Sequence, residues 1–215
     1  VSSVWGRGRL ATALIGDFLL SNLLGSVTLL AGLGHPLAEL LAAAEQVQPV
    51  VGRLQPFAHP GGFTCVVDYA HTPAALAQAL AVLRTHFPGR VICVFGCGGE
   101  RDAGKRALMG EAAAAGADRL VLTDDNPRDE DGDAIVAQIA AGIPAGVAST
   151  VERDRAAAIA LACAEAAPGD VVLIAGKGHE DYQDGAGGRV PYSDAEVVAR
   201  LVRAATREEA RCCSG

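Results

Sequence analysis

Thr64-Cys65-Val66-Val67, followed by Asp68-Tyr69-Ala70-His71-Thr72-Pro73, an alanine-rich run to Thr85 and then Val91-Ile92-Cys93-Val94-Phe95, is the stretch that decides the fold. A short β-branched run, a polar loop closed by proline, a dozen residues of helical composition and a second apolar run make one β-α-β unit. The rhythm then repeats. Strands are expected at residues 64–67, 91–95, 119–123, 146–151 and 171–175, and helices at 73–85, 104–115, 133–141, 153–166 and 194–205. Strands alternating with helices of this length specify an α/β domain with a mainly parallel sheet and flanking helices. Residues 182–192 hold the cluster Asp184-Gly185-Ala186-Gly187-Gly188 between β-compatible pieces, which predicts a terminal hairpin.

Upstream the pattern is different. Residues 20–33 and 36–47 read as two helices separated by the Gly34-His35-Pro36 turn, after a short extended piece. No complete fold fits there, so a boundary is expected near residue 52, with 1–52 as the end of one domain and 53–215 as another. The apolar stretch 10–34 is broken at Gly16-Asp17, leaving a helix too short for the roughly 20 residues a bilayer requires. No secretory leader is expected either. The chain of 215 residues is half hydrophobic and carries a net charge of −7 with no Lys/Arg-rich run, which argues against nucleic-acid and anionic-membrane partners. Cys65, Cys93, Cys97, Cys163, Cys212 and Cys213 form no zinc-ligand spacing, and most are expected to be small buried hydrophobes in a reducing cytosol.

In a parallel sheet, ligands bind outside the carboxyl ends of the strands, which singles out four loops. Gly99-Glu100-Arg101-Asp102-Ala103-Gly104-Lys105 fits the spacing of a phosphate-binding loop, but Arg106 stands where a magnesium-ligating hydroxyl is needed. A glycine-rich turn that lets Arg101 reach a ligand, or a tight turn with solvated charges, fits the residues better. Asp124-Asp125-Asn126-Pro127-Arg128 could read an amino-acid zwitterion, with Arg taking the carboxylate and Asp and Asn accepting from the ammonium; it could equally be a helix-capping turn. In Gly176-Lys177-Gly178-His179-Glu180 the glycines allow close approach and Glu180 could bind an ammonium, while His179 reads as structural. Asp68 and His71, three residues apart, could meet ribose hydroxyls, phosphate or a magnesium-bound water. No hydrolase triad or zincin helix is present. The residues alone lead to a ligand-binding α/β domain for an anionic amino acid or a nucleotide, and a stand-alone binding module remains an alternative.

Taken together in their order, Leu14-Ile15-Gly16-Asp17-Phe18, Ser21-Asn22-Leu23-Leu24, Gly52-Arg53, Val67-Asp68-Tyr69-Ala70-His71-Thr72-Pro73, Phe95-Gly96-Cys97-Gly98-Gly99-Glu100-Arg101-Asp102, Thr123-Asp124-Asp125-Asn126-Pro127-Arg128 and Ala175-Gly176-Lys177-Gly178-His179-Glu180 resemble the C-terminal half of the Mur ligases, in particular the diaminopimelate-adding branch. The resemblance implies a Rossmann-like domain preceded by the helical end of the family's central ATPase domain. It implies a cytoplasmic, ATP- and Mg2+-dependent amide-bond ligase of peptidoglycan synthesis that joins meso-diaminopimelate to UDP-N-acetylmuramoyl-L-alanyl-D-glutamate. Residue by residue, it implies that Arg101, Asp125, Asn126, Pro127, Arg128, Gly176 and Glu180 form the diaminopimelate site, and that Asn22, Arg53, Asp68 and His71 face the nucleotide. No metal ligand is implied in this stretch. The family usually carries Phe-Asn-Val before Ser-Asn, whereas Leu19-Leu20 follow Phe18 here, one adenine-side amide fewer. The family's phosphate-binding loop and UDP-sugar domain are not in the sequence, so the expectation is a fragment that does not catalyse alone.

Overall fold

A computed structural model describes residues 1–212. The chain divides into two compact units, Val1–Val50 and Val51–Gly215. In the first, β1 (Ser2–Ser3) and β2 (Gly6–Arg7) pair as a small antiparallel ribbon, followed by α1 (Asp17–Gly32) and α2 (Leu37–Ala44). The helix expected from residue 20 begins at Asp17, because Gly16 at φ 98 makes the bend and an acidic side chain suits a helix N-terminus. Val27, Leu41 and Ala44 are the small buried cluster of this unit. Among the described residues no helix is long and apolar enough to cross a membrane.

The second unit runs β3 (Gln55–Ala58), β4 (Thr64–Asp68), α3 (Pro73–His86), β5 (Val91–Phe95), α4 (Lys105–Gly116), β6 (Arg119–Leu122), α5 (Gly132–Ala140), β7 (Ser149–Val151), α6 (Arg155–Glu165), β8 (Val171–Ala175), β9 (Tyr182–Gly185), β10 (Gly188–Pro191) and α7 (Asp194–Cys212). Six strands form one sheet in the order β3-β4-β8-β5-β6-β7, parallel throughout except for β3, which pairs antiparallel with β4. β9 and β10 form the separate terminal hairpin.

The central strands are buried on both faces, so they read as unbroken apolar runs rather than alternating ones. Alternate residues nevertheless serve different layers. Val67, Ile92, Val94, Val172 and Ile174 pack with Ile159, Ala162 and Val198 of α6 and α7. The intervening Val66, Cys93, Phe95 and Leu173 are equally buried and point toward the layer of α3, α4 and α5, where Leu76, Leu80, Met109 and Ile139 are buried. Cys65, Cys93, Cys97 and Cys163 are buried free thiols, as expected. Cys213 and the side chain of Cys212 lie outside the described residues.

Several boundaries differ from expectation for local reasons. Thr72 caps α3 by accepting from the Ala75 amide, with Pro73 in the first turn. Asp154 caps α6, so that helix starts at Arg155 rather than 153. Gly146 at φ 91 makes a turn, and β7 begins only at Ser149. β3 was hidden by Pro56, a residue tolerated only because this strand is at the sheet edge. The last helix extends to Cys212 instead of 205, on a run of Arg, Glu and Ala with good helix propensity.

A chain trimmed to residues 51–212 has its sheet covered on both faces and is expected to melt in one cooperative transition by circular dichroism. A gradual, non-cooperative loss of structure in the trimmed chain, with a sharp melt in the full chain, would show that the division at residue 50 is not a folding boundary.

Candidate functional site

The loops that follow β4, β8, β5 and β6 lie side by side because those strands are neighbours in that order. They enclose a cleft of about 450 Å3 lined by residues from all four: Tyr69 and His71, then Gly176, Glu180 and Tyr182, then Gly98, Arg101, Asp102 and Lys105, and finally Asp125, Asn126 and Arg128. Six of the seven residues expected at an amino-acid site therefore converge. The seventh, Pro127, lines a second cavity on the other side of the same loop, under the β9-β10 hairpin, so it shapes the loop from behind. Gly176 is required where it stands: its φ is 118, and a Cβ would come within 2.8 Å of Asp125 Oδ2. At Gly99 a Cβ would overlap the Pro127 carbonyl oxygen, so the two loops pass backbone against backbone.

At the floor of the cleft is a fully buried ammonium. Lys177 Nζ donates to Asn126 Oδ1 at 2.8 Å, to the Tyr182 carbonyl at 2.8 Å and to Glu180 Oε2 at 3.2 Å, and is 3.6 Å from Asp125 Oδ1. Asn126 Nδ2 in turn donates to Glu180 Oε2 at 3.0 Å, and the Asp184 amide donates to Asn126 Oδ1 at 2.9 Å. The orientation of the Asn126 amide is thereby fixed, because an ammonium and a backbone N–H can only face its oxygen. This corrects the expectation that Asn126 could accept from a ligand's ammonium. Both lone pairs of its oxygen are engaged, and the group it has left to offer is one N–H.

Arg128 takes φ 53 and turns its guanidinium over the glycine loop, where Nη1 donates to the Gly99 carbonyl at 2.6 Å and, at 3.4 Å, to that of Asn126. Its Nε is 3.7 Å from Asp184 Oδ2. Arg101 is exposed, lies with Arg128 beside Gly98, and forms no ion pair among the described residues; it donates at 3.5 Å to the Glu100 carbonyl. Two cations and an amide N–H thus stand close to the carboxylates of Asp125 and Glu180. Donors and acceptors in one cleft suit a ligand group carrying both a carboxylate and an ammonium.

The residues expected to face a nucleotide are placed differently from one another. His71 lines the cleft and is exposed, whereas Arg53 and Asp68 are outside its lining. Arg53 and His71 nonetheless share one support: the Arg53 guanidinium is 4.6 Å from the Tyr69 ring centroid and the His71 ring stands edge-on to it at 4.5 Å. Asp68 is buried, its Oδ2 accepting from the Leu54 amide at 2.7 Å and its Oδ1 from that of Ala70 at 2.9 Å. Burial pushes its carboxyl above the usual range, against the pull of those amides and of Arg53. Its geometry is that of a carboxylate holding the turn that presents Arg53. Asn22 is exposed on α1 of the first unit. Among the described residues no group of three or more His, Cys, Asp or Glu is placed to hold a metal ion.

The Gly99–Lys105 segment is not a phosphate cradle. The Gly99 amide donates to the Asn126 carbonyl and the Glu100 amide to Glu130 Oε2, so these N–H groups are spent within the protein. Arg106, where a phosphate-binding loop has its hydroxyl, is buried and forms a two-pronged pair with Glu130 at 2.6 and 2.8 Å. Lys105 Nζ donates to the His71 carbonyl at 2.8 Å.

Beneath the cleft, Arg155 and Asp194 form a bidentate pair with bonds of 2.8 Å and no exposed side-chain surface. Arg155 also donates to the carbonyls of Ala175 at 2.9 Å and Asp124 at 3.2 Å, the residues that directly precede Gly176 and Asp125. Arg153 grips Asp124 with bonds of 2.6 and 2.9 Å and also pairs with Asp133. Sequence reading assigns no role to Lys177, Arg155 or Asp194, and takes Arg106 only as a departure from a phosphate-loop pattern. For Lys177 a signal existed, a charged residue between two glycines directly after an apolar strand; Arg155 and Asp194 are 39 positions apart and carry no local cue.

Residues 52–178 match the family model described as Mur ligase, glutamate ligase domain. The chain is 54% identical over 198 residues to a UDP-N-acetylmuramoyl-L-alanyl-D-glutamate–2,6-diaminopimelate ligase of Acidovorax sp. (strain JS42), in a match covering 90% of this chain and 40% of that protein. A solved structure of a ligase of that name is 39% identical, with a TM-score of 0.74 over 94% of this chain and 42% of the other. A UDP-N-acetylmuramate-alanine ligase from Thermotoga maritima shares the fold at 19% identity, with a TM-score of 0.65 over 94% of this chain and 41% of its own. The chain thus spans about two fifths of the length of these relatives.

Removing one member of the buried pair leaves the other charged and uncompensated. Arg155→Met is expected to lower the unfolding free energy by about 3 to 5 kcal/mol in urea melts, and Arg155→Met with Asp194→Leu to recover much of that loss. A single variant as stable as the parent would mean that the pair does not hold the loops.

Proposed function

We propose that this chain, which belongs to the Mur ligase family, is the amino-acid-binding part of an ATP-dependent ligase that adds meso-diaminopimelate to UDP-N-acetylmuramoyl-L-alanyl-D-glutamate. The observation that carries the reading is the charge pattern of the cleft: Arg101, Arg128 and the free N–H of Asn126 stand ready for a carboxylate, beside Asp125 and Glu180 ready for an ammonium. One end of diaminopimelate presents those two groups together. The names of the Acidovorax relative and of the solved ligase support the same substrate.

In this reading the far end of the amino acid is held while its other amine is left to attack an activated carboxyl. Arg128 takes the far carboxylate in two-pronged geometry and Arg101 closes on it from the rim. Asp125 and Glu180 take the far ammonium. Holding the nucleophile's distant end in this way lowers the entropic cost of reaction without touching the reacting atoms. Magnesium and ATP would supply the electrostatic stabilisation and the phosphoryl group that activates the acceptor. Arg53 and His71, both carried on Tyr69, are the groups this unit offers to a nucleotide, and Asp68 sets the turn beneath Arg53. The catalytic reaction is that of a ligase as long as the relatives, with residues 1–52 as the end of its central ATP-binding domain.

Selection against lysine follows from the same pattern, because lysine has no carboxylate at its far end. In the complete ligase, Arg128→Ala should cost diaminopimelate about 2 to 5 kcal/mol, roughly 30-fold to several thousandfold in kcat/KM, by analogy with truncating one partner of a buried charge pair. Use of lysine should change far less. Steady-state ligation with both amino acids at saturating ATP is the test; an equal loss for both would remove Arg128 from the selection.

A further inference from the structure

Lys177 cannot touch a ligand. Its side chain has no exposed surface, and its three ammonium hydrogens are taken by Asn126, Glu180 and the Tyr182 carbonyl. A buried ammonium is costly to hold, and these partners are what compensate it. Three of the groups around it are the side chains that line the cleft as ligand-binding candidates: Asp125, Asn126 and Glu180.

We propose that Lys177 is a positioning residue for the amino-acid site, fixing the Asn126 amide with its N–H toward the ligand and holding Asp125 and Glu180 together as a pair with room for one further cation. Two arguments carry this. The first is orientation: turning the Asn126 amide over would set its NH2 against both the Lys177 ammonium and the Asp184 amide, two donors facing donors. The second is charge. Two carboxylates offset by one ammonium leave a net charge of −1, the complement of a single ligand ammonium; without Lys177 they would repel each other and spread apart. The lysine thus decides both where the acceptors stand and how many charges they present. This inference rests on the reading of the cleft as a diaminopimelate site.

A double-mutant cycle separates positioning from simple support of the fold. The affinity of the chain for meso-diaminopimelate is measured by NMR titration for the parent, Lys177→Met, Glu180→Gln and the double variant, with melting temperatures alongside. Each single change is expected to weaken binding by about 30-fold, the loss typical of breaking one partner from a buried charged pair. If Lys177 works through Glu180, the double variant binds within about twofold of the weaker single one. Losses that multiply would overturn the proposal and leave Lys177 as a support of the loop only. Should Lys177→Met fail to fold, Lys177→Gln keeps a donor but not the charge, and the same cycle is read with it. A parent chain that binds no diaminopimelate at the cleft would overturn the reading of the site itself, whereas parent binding with multiplying losses overturns the role of Lys177 alone.

Discussion

The Arg155–Asp194 pair ties together the starts of two helices 39 positions apart in the second unit and the two strand-end loops beside them. Asp194 is in the first turn of α7, Arg155 in that of α6, and the guanidinium reaches the last carbonyl of β8 and the carbonyl of Asp124. One planar group with fixed donor directions therefore sets the relative height of the two loops that carry Asp125 and Glu180. A lysine there could not do this, since it has no fork of donors with defined angles. The pair is buried and so costs desolvation; the additional carbonyl bonds account for donors that would otherwise be unsatisfied.

On this base the cleft is layered by charge. Arg155 and Lys177 are buried behind the lining, whereas Asp125, Glu180, Arg128 and Arg101 line the cleft itself. The buried Lys177 ammonium stands 3.6 Å from Asp125 Oδ1 and 3.2 Å from Glu180 Oε2, which holds these acidic side chains on its side of the cleft. The glycines make the stacking possible: at Gly99 and Gly176 a side chain would occupy space that the neighbouring loop already fills. Pro127 holds the loop from its far side, facing the second cavity rather than the first.

Much of this was legible in the sequence. The β-α-β rhythm gave the parallel sheet, since period and length together distinguish a buried strand from a helix, and the rule that ligands bind beyond strand carboxyl ends selected the four loops that do converge. What stayed hidden depends on tertiary pairing. β3 was missed because its proline argues against a strand unless one knows that it is an edge. Arg106 was read as the residue that spoils a phosphate loop, and its buried pairing with Glu130 became visible only when α4 was placed against the loop before α5. The Asn126 amide was assigned the wrong hydrogen-bonding role because its partners, Lys177 and Asp184, lie more than 50 positions away. Asp68 sits where expected in the sequence of motifs, but its oxygens serve the backbone turn of Leu54 and Ala70.

The central claim is that the cleft beyond β4, β5, β6 and β8 recognises the zwitterionic end of diaminopimelate. Its most direct test is a 1H–15N NMR titration of the chain with meso-diaminopimelate, with lysine as the comparison. The account predicts saturable shifts concentrated in residues 98–101, 125–128 and 176–180, with lysine producing much weaker ones. Saturable binding of diaminopimelate that leaves these three segments unmoved, or equal responses to both amino acids, would contradict it.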